Sequence, residues 1–281
     1  NLTNNAQITA SLENTGTLDN NALITGDIEN SGTLISNASD LDGAIENANQ
    51  LNLTGGTNNN VITSSGTTTF SNDVANNGAI EQGKVVNNGN LINNAQIIAA
   101  LENNGDIDNH ALIKGDIANN GTLTSDTSDL LGTITNSDAA ILNIIGNENN
   151  NEINGSGTVN INSSMNLVKA ISGTNTVNAN SGTLSFADSS ALGNGVTLNA
   201  NGSTIEVVDK NMNIKKANFD SNSTLKLRID SKTSFGTLTA DEITVADGAT
   251  LSATLVGNAL AKVGRPTYFQ LLSANNQDFN K

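Results

Sequence analysis

From Leu2 to Leu34, every second position is apolar, small or Asn: Leu2, Asn4, Ala6, Ile8, Ala10, Leu12, Asn14, Gly16, Leu18, Asn20, Ala22, Ile24, Gly26, Ile28, Asn30, Gly32 and Leu34. The alternate positions carry every charge and hydroxyl, with Leu23 their only large apolar residue. A period of two over such a length means extended chain with one face buried and one wet. A single straight strand would run roughly 100 Å, far beyond ordinary strands of about 5–6 residues, so the chain must bend without losing parity. Gly, Ala and Asn positions are where corners are cheapest.

The same stretch recurs after about 16 residues, a short period of the kind that signals stacked coils. Leu2 maps to Leu18 and Leu34, Asn4 to Asn20, Ile8 to Ile24, Leu12 to Ile28, and Asn14 to Asn30. One repeat per turn, with turns stacked about 4.8 Å apart, predicts an all-β chain folded as a parallel β-helix, or β-solenoid, with coils of about 16–20 residues.

From Asn90 the opening segment returns, with about two-thirds of positions identical, so blocks 1–50 and 90–139 are read as a duplication of about five turns. Between the copies, Leu51, Leu53, Val61, Phe70, Val74, Ile80 and Val85 are the expected core. GGTNNN at 55–60 and GNENNN at 146–151 read as loops leaving the coil. Strands such as TVNIN, NTVNA, GTLSF and GVTLNA carry the pattern to residue 200. Beyond it, strands widen around Phe219, Phe235, Tyr268 and Phe269, with Pro266 at a turn or edge. The expected division is a repeat region over 1–200 and a C-terminal β cap over 201–281, because a solenoid's last coil must be covered.

Composition narrows the function. A net charge of -15 disfavours nucleic acid and anionic membrane surfaces, both of which select Lys and Arg. Before Lys169 the only basic residues are Lys84 and Lys114. Low hydrophobicity with this charge is also a signature of disorder, but a disordered chain has no reason to lock Leu and Ile to one parity. The absence of cysteine removes disulfides and thiolate metal sites and suits export. No apolar run approaches the roughly 20 residues of a membrane helix. Starting inside a repeat, without Met or an apolar leader, the chain reads as an excised or mature fragment.

The inward amides Asn4, Asn14, Asn20, Asn30, Asn93, Asn103, Asn109 and Asn119 read as a structural ladder, because a buried amide without a partner costs about 1–3 kcal/mol. Glu13, Glu29 and Glu46 fall on equivalent outward positions of successive turns, with Thr9 and Thr25 in the same outward register. Stacked like carboxylates repel. They are the candidate binding row, for a divalent cation or a partner, against the plainer reading of a solvated acidic face; the second copy has Glu102, Ala118 and Thr135 there. His110 is the only histidine and sits outward, so neither a zinc site nor a Ser–His–Asp set is expected. Asp40 with Asp42, and Asp126 with Asp129, lack EF-hand spacing. No cofactor, metal or catalytic residue is expected.

The [LI]xNxG and SGTL repeats, followed by ANFDSNSTLKLRID, FGTLTADEITVADGATLSATLVG and GRPTYFQLLSA, resemble a passenger domain of the type V autotransporters of Gram-negative bacteria. The resemblance spans essentially the whole chain. It implies a right-handed β-helix, an autochaperone-like C-terminal region over 201–281 that assists folding outside the cell, and a membrane β-barrel following it. It also implies export to the cell surface. The expected function is adhesion or self-association through outward polar ladders, with the chain itself on neighbouring cells, or a host surface protein or glycan, as partner. Weighed against it are an inert stalk displaying a more N-terminal domain, a polysaccharide-active β-helix enzyme and an ice-binding Thr array. Lyases need Lys or Arg and hydrolases a close acid pair, and few basic or aromatic side chains are available before Lys169. Acids interrupt the Thr positions of the second copy, as at Asp106.

Overall fold

The computed structural model describes residues 1–256 and 268–279. The chain is nearly all parallel β-strand, about 13 stacked coils of a β-solenoid, and its helical pieces among the described residues are two short 3-10 turns. Two compact units divide between Thr135 and Asn136.

In the first unit each coil contributes strands to three faces, and the inward residue of every strand sits over its counterpart one coil away. One face stacks Leu2, Leu18, Leu34, Leu51, Thr68, Val85, Leu101 and Ile117. A second stacks Ile8, Ile24 and Leu41, and on the same side Gly56, Val74, Leu91, Ile107 and Leu123. The third stacks Leu12, Ile28, Ile45, Ile62, Ile80, Ile97, Ile113 and Leu130. Burying each such Leu or Ile contributes about 1.5–3 kcal/mol, and a β-branched or γ-branched side chain over its like leaves few voids. The corners are equally tight. A Cβ on Gly32 would run into the Gly16 backbone directly beneath it.

Two sequence expectations change here. Val61 is 50% exposed while Ile62 is fully buried. Inward parity passes through Asn58, Asn60 and Ile62, and the amides hold the corner: Asn58 Nδ2 donates to Asn76 Oδ1 at 2.8 Å and Asn60 Nδ2 to the Leu41 carbonyl at 2.8 Å. GGTNNN is therefore part of the coil, with a strand at Gly56–Asn58. In the second unit GNENNN likewise contains a strand at Glu148–Asn149, and Asn149 and Asn151 are buried.

The duplication is real in sequence but is not a whole number of coils. Five coil steps from Leu2 end at Val85, and Leu91, the counterpart of Leu2, lies beyond Val85 by the same step that separates Ile8 from Leu2. Leu91 accordingly stacks on Val74, on the Ile8 side. The second copy is turned by one face. The 3-10 turns Ala38–Asp40 and Thr127–Asp129 recur at the same offset, capped by Asn37 and Asp126, whose side chains accept from Ser39 and Ser128 backbone N–H.

In the second unit one face stacks Leu142, Val159, Val177, Leu198, Ala217 and Ile243. Parallel pairing continues past residue 200 unchanged, while the step between stacked residues lengthens. The step from Val159 to Val177 is of the expected size, whereas those from Ala217 to Ile243 and from Ile243 to Gln277 are longer than any the repeat predicts. The extra residues leave at corners such as 230–236, where the strands keep their register. Phe219 is buried, Phe235 meets Phe269 edge-on with centroids 5.2 Å apart, and Tyr268 is 89% exposed. Pro266 lies outside the described residues.

Candidate functional site

The inward amides form continuous chains of hydrogen bonds. Asn4 Nδ2 donates to Asn20 Oδ1 at 2.7 Å, and Asn20 Nδ2 to Ser36 Oγ at 2.9 Å. Asn14 donates to Asn30 and Asn30 to Asn47, both at 2.7 Å. In the second copy Asn93 donates to Asn109 at 2.7 Å, and Asn103 to Asn119 at 2.8 Å. Their second N–H groups turn to backbone: Asn14 donates to the Thr33 carbonyl, Asn30 to Gln50 and Asn103 to Thr122. These are structural rungs with no surface to offer a ligand.

Where the ladder above Asn47 would continue, the next coil presents Ser64, at φ +86°. Gln82 fills the gap from one coil further. Turned inward at a bulge between Glu81 and Lys84, it accepts from Asn47 Nδ2 at 2.8 Å and donates to the Asn47, Thr63 and Ser64 carbonyls.

The outward candidates are in register. Glu13, Glu29 and Glu46 are direct cross-strand neighbours and line a shallow depression with Ser31 and Ala48. No group of three or more acidic or His side chains with metal-holding geometry occurs among the described residues. Thr9 pairs with Thr25, and Thr25 with Asp42. Because the second copy is turned by one face, Glu102 does not extend the Glu13 row. It pairs instead with Lys84 at 2.6 Å, and hydrogen bonds from Lys84 and then Asn104 hold its carboxyl below the ordinary value. His110 is exposed, with Nε2 3.2 Å from Asp108 Oδ2.

The largest regular outward array among the described residues lies in the second unit, at positions that the sequence pattern alone did not single out. Asn160 Nδ2 donates to Asn143 Oδ1, Asn178 to Asn160, and Asn199 to Asn178, each at 2.8 Å, and Asn218 donates to Asn199 at 2.7 Å. Thr158, Thr176 and Thr197 stack two residues before this row. Asn162, Asn180 and Asn201 bond each other two residues after it, at 2.9 Å. The signal is in the sequence as a recurring Thr-apolar-Asn triplet: TVN at 158 and 176, TLN at 197. It is easily passed over because its spacing drifts from one coil to the next.

These surfaces are flat, polar and open. What such an arrangement does chemically is present rigid, repeated hydrogen-bonding groups, since ladder bonds already fix the side-chain rotamers. No family model, curated protein or solved structure matches the chain.

Proposed function

We propose that the chain is a bacterial cell-surface adhesin, the passenger of an autotransporter, mediating attachment or self-association outside the cell. The observation that carries this reading is the set of ordered outward amide ladders on a solenoid. Each rung offers a weak hydrogen-bonding site, and many rungs at a fixed spacing sum through avidity when an extended surface is engaged. Ordering the side chains in advance removes part of the entropic cost of binding. The partners of this reading are the chain itself on neighbouring cells or a host surface protein or glycan. Net acidity speaks against nucleic acid. The acidic depression is shallow and open, its carboxylates lie in one row on one face, and its lining holds no basic side chain, which gives little support to glycan-cleaving chemistry.

The test is display of the whole chain on a membrane barrel, compared with barrel alone, scored for clumping and for attachment to protein-coated and glycan-coated surfaces. Segment-dependent clumping or attachment is expected. A chain folded by circular dichroism that produces neither overturns the reading.

A further inference from the structure

We infer that the Thr–Asn face of the second unit, over coils 141–145, 158–162, 176–180 and 197–201, is a homophilic contact, laid face to face against the same face of a second copy. The inference rests on the adhesin reading and assigns it a surface and a partner.

Charge favours this face. The chain carries a net charge of -15, so two copies repel over most orientations. The outward positions of these four coils, Ile141, Asn143 and Ile145 on the first and a Thr, Asn, Asn set on each of the others, include no charged residue. Charge returns only on the next coil, where Thr197 pairs with Lys216 and Ala200 with Phe219, next to Asp220. By contrast the outward rows of the first unit carry Glu13, Glu29, Glu46, Asp106 and Asp108. On this face a like-charged copy can approach without placing carboxylate against carboxylate.

The chemistry of the face is self-complementary. Asn160, Asn178 and Asn199 each spend one N–H and one oxygen lone pair on the ladder. An amide has two of each, so each of these three keeps a donor and an acceptor that the ladder does not use. Threonine hydroxyls add both functions again. A two-fold axis along the strand Thr176–Ala179 sets Asn178 over Asn178, Asn160 over Asn199, Asn143 over Asn218 and Thr176 over Thr176. The copies are then antiparallel, as for solenoids reaching from facing surfaces, and the contact is isologous. Their spacings match because both are set by the same inter-strand distance of about 4.8 Å. Exposed Ile141 and Ile145 add apolar area at one end.

Magnitude fixes the kind of contact. The four coils with the Asn218 rung at their edge make five rungs about 4.8 Å apart, and with three columns about 6.6 Å apart they cover about 300–400 Å² per copy, below the roughly 800 Å² per partner of a stable complex. A single pair is therefore weak, and adhesion requires many pairs at once.

The experiment uses beads coated densely with the whole chain, scored for clumping. Wild-type and Thr176→Ser beads are expected to clump. Thr176→Lys and Thr176→Glu beads each lose clumping by at least about tenfold, because like charges meet on the axis. Lys beads mixed with Glu beads clump again, which neither misfolding nor a different face produces. Clumping by the Lys and Glu beads equal to wild type overturns the face assignment and leaves self-association standing. Wild-type beads that do not clump but attach to glycan-coated or protein-coated surfaces overturn the homophilic contact and leave the adhesin reading standing.

Discussion

Replacing Asn103 by Ala separates a structural rung from a decorative one. Asn103 is fully buried; its Nδ2 donates to Asn119 Oδ1 at 2.8 Å and to the Thr122 carbonyl at 2.9 Å, while its Oδ1 accepts from Asn87 Nδ2 at 2.9 Å and from Gly105 N–H at 3.3 Å. Asn87 keeps the Gly89 and Asp106 carbonyls. Truncation removes a donor from Asn119 and Thr122 and an acceptor from Gly105. Each buried group deprived of its bond costs about 1–3 kcal/mol, so a total of about 3–5 kcal/mol is expected. Asn104, next along the chain, also makes ladder bonds, to Asn88 at 3.0 Å and from Asn120 at 2.9 Å, but it is exposed and water substitutes for them. Asn104→Ala should cost under about 0.5 kcal/mol. A stack of coils unfolds regionally, so the readout is hydrogen exchange across residues 87–122 in mild urea together with the denaturation midpoint. The double variant Asn103→Ala with Asn119→Ala should cost less than the sum of the singles, because the deprived oxygen goes with its residue. Equal loss of protection in Asn103→Ala and Asn104→Ala would refute the argument.

Other changes test other parts of the coil. Gly32→Ala drives a Cβ into the Gly16 backbone and should cost about 2 kcal/mol or more, whereas Gly16→Ala meets no atom within 4 Å and should be nearly neutral in thermal midpoint. Gln82→Ala empties the plug beside Asn47 and should destabilise by about 2–4 kcal/mol in urea, while Ser64→Gly relieves its positive φ and should stabilise by up to about 1 kcal/mol. Lys84→Met should raise the Glu102 carboxyl toward its ordinary value in an NMR titration. Because the folded value is depressed, the pair's contribution is present above the unfolded pKa and lost as pH falls through the folded one; with side chains 46% and 34% exposed it stays within about 1 kcal/mol.

What is legible in the sequence follows from what a coil demands locally. Parity and the repeat step are visible because each Leu or Ile must meet its like one turn away, as Leu18 meets Leu34. The inward amides are visible for the same reason. Corners are not: GGTNNN looks like a loop because Gly and Asn are turn residues, yet Asn58 and Asn60 point inward and carry the parity to Ile62. The Gln82 plug is a contact across two coils, and nothing in a local pattern announces it.

Phase is the other hidden quantity, and it bears on function. Similarity between the two blocks says that one was copied, but the number of complete coils in that block depends on small insertions that similarity does not weigh. With five coils and one further face between counterparts, Glu13 and Glu102 look out from different sides, so keeping the residue does not keep the row. In the second unit the steps vary in length, yet each is one complete coil, because the extra residues leave at corners while Thr176 stays over Thr158 and under Thr197. A regular outward face therefore arises where the sequence period drifts, while the Glu13 row does not carry over into the copied block. Outward regularity is set by closure of each coil, and closure is a property of the folded chain.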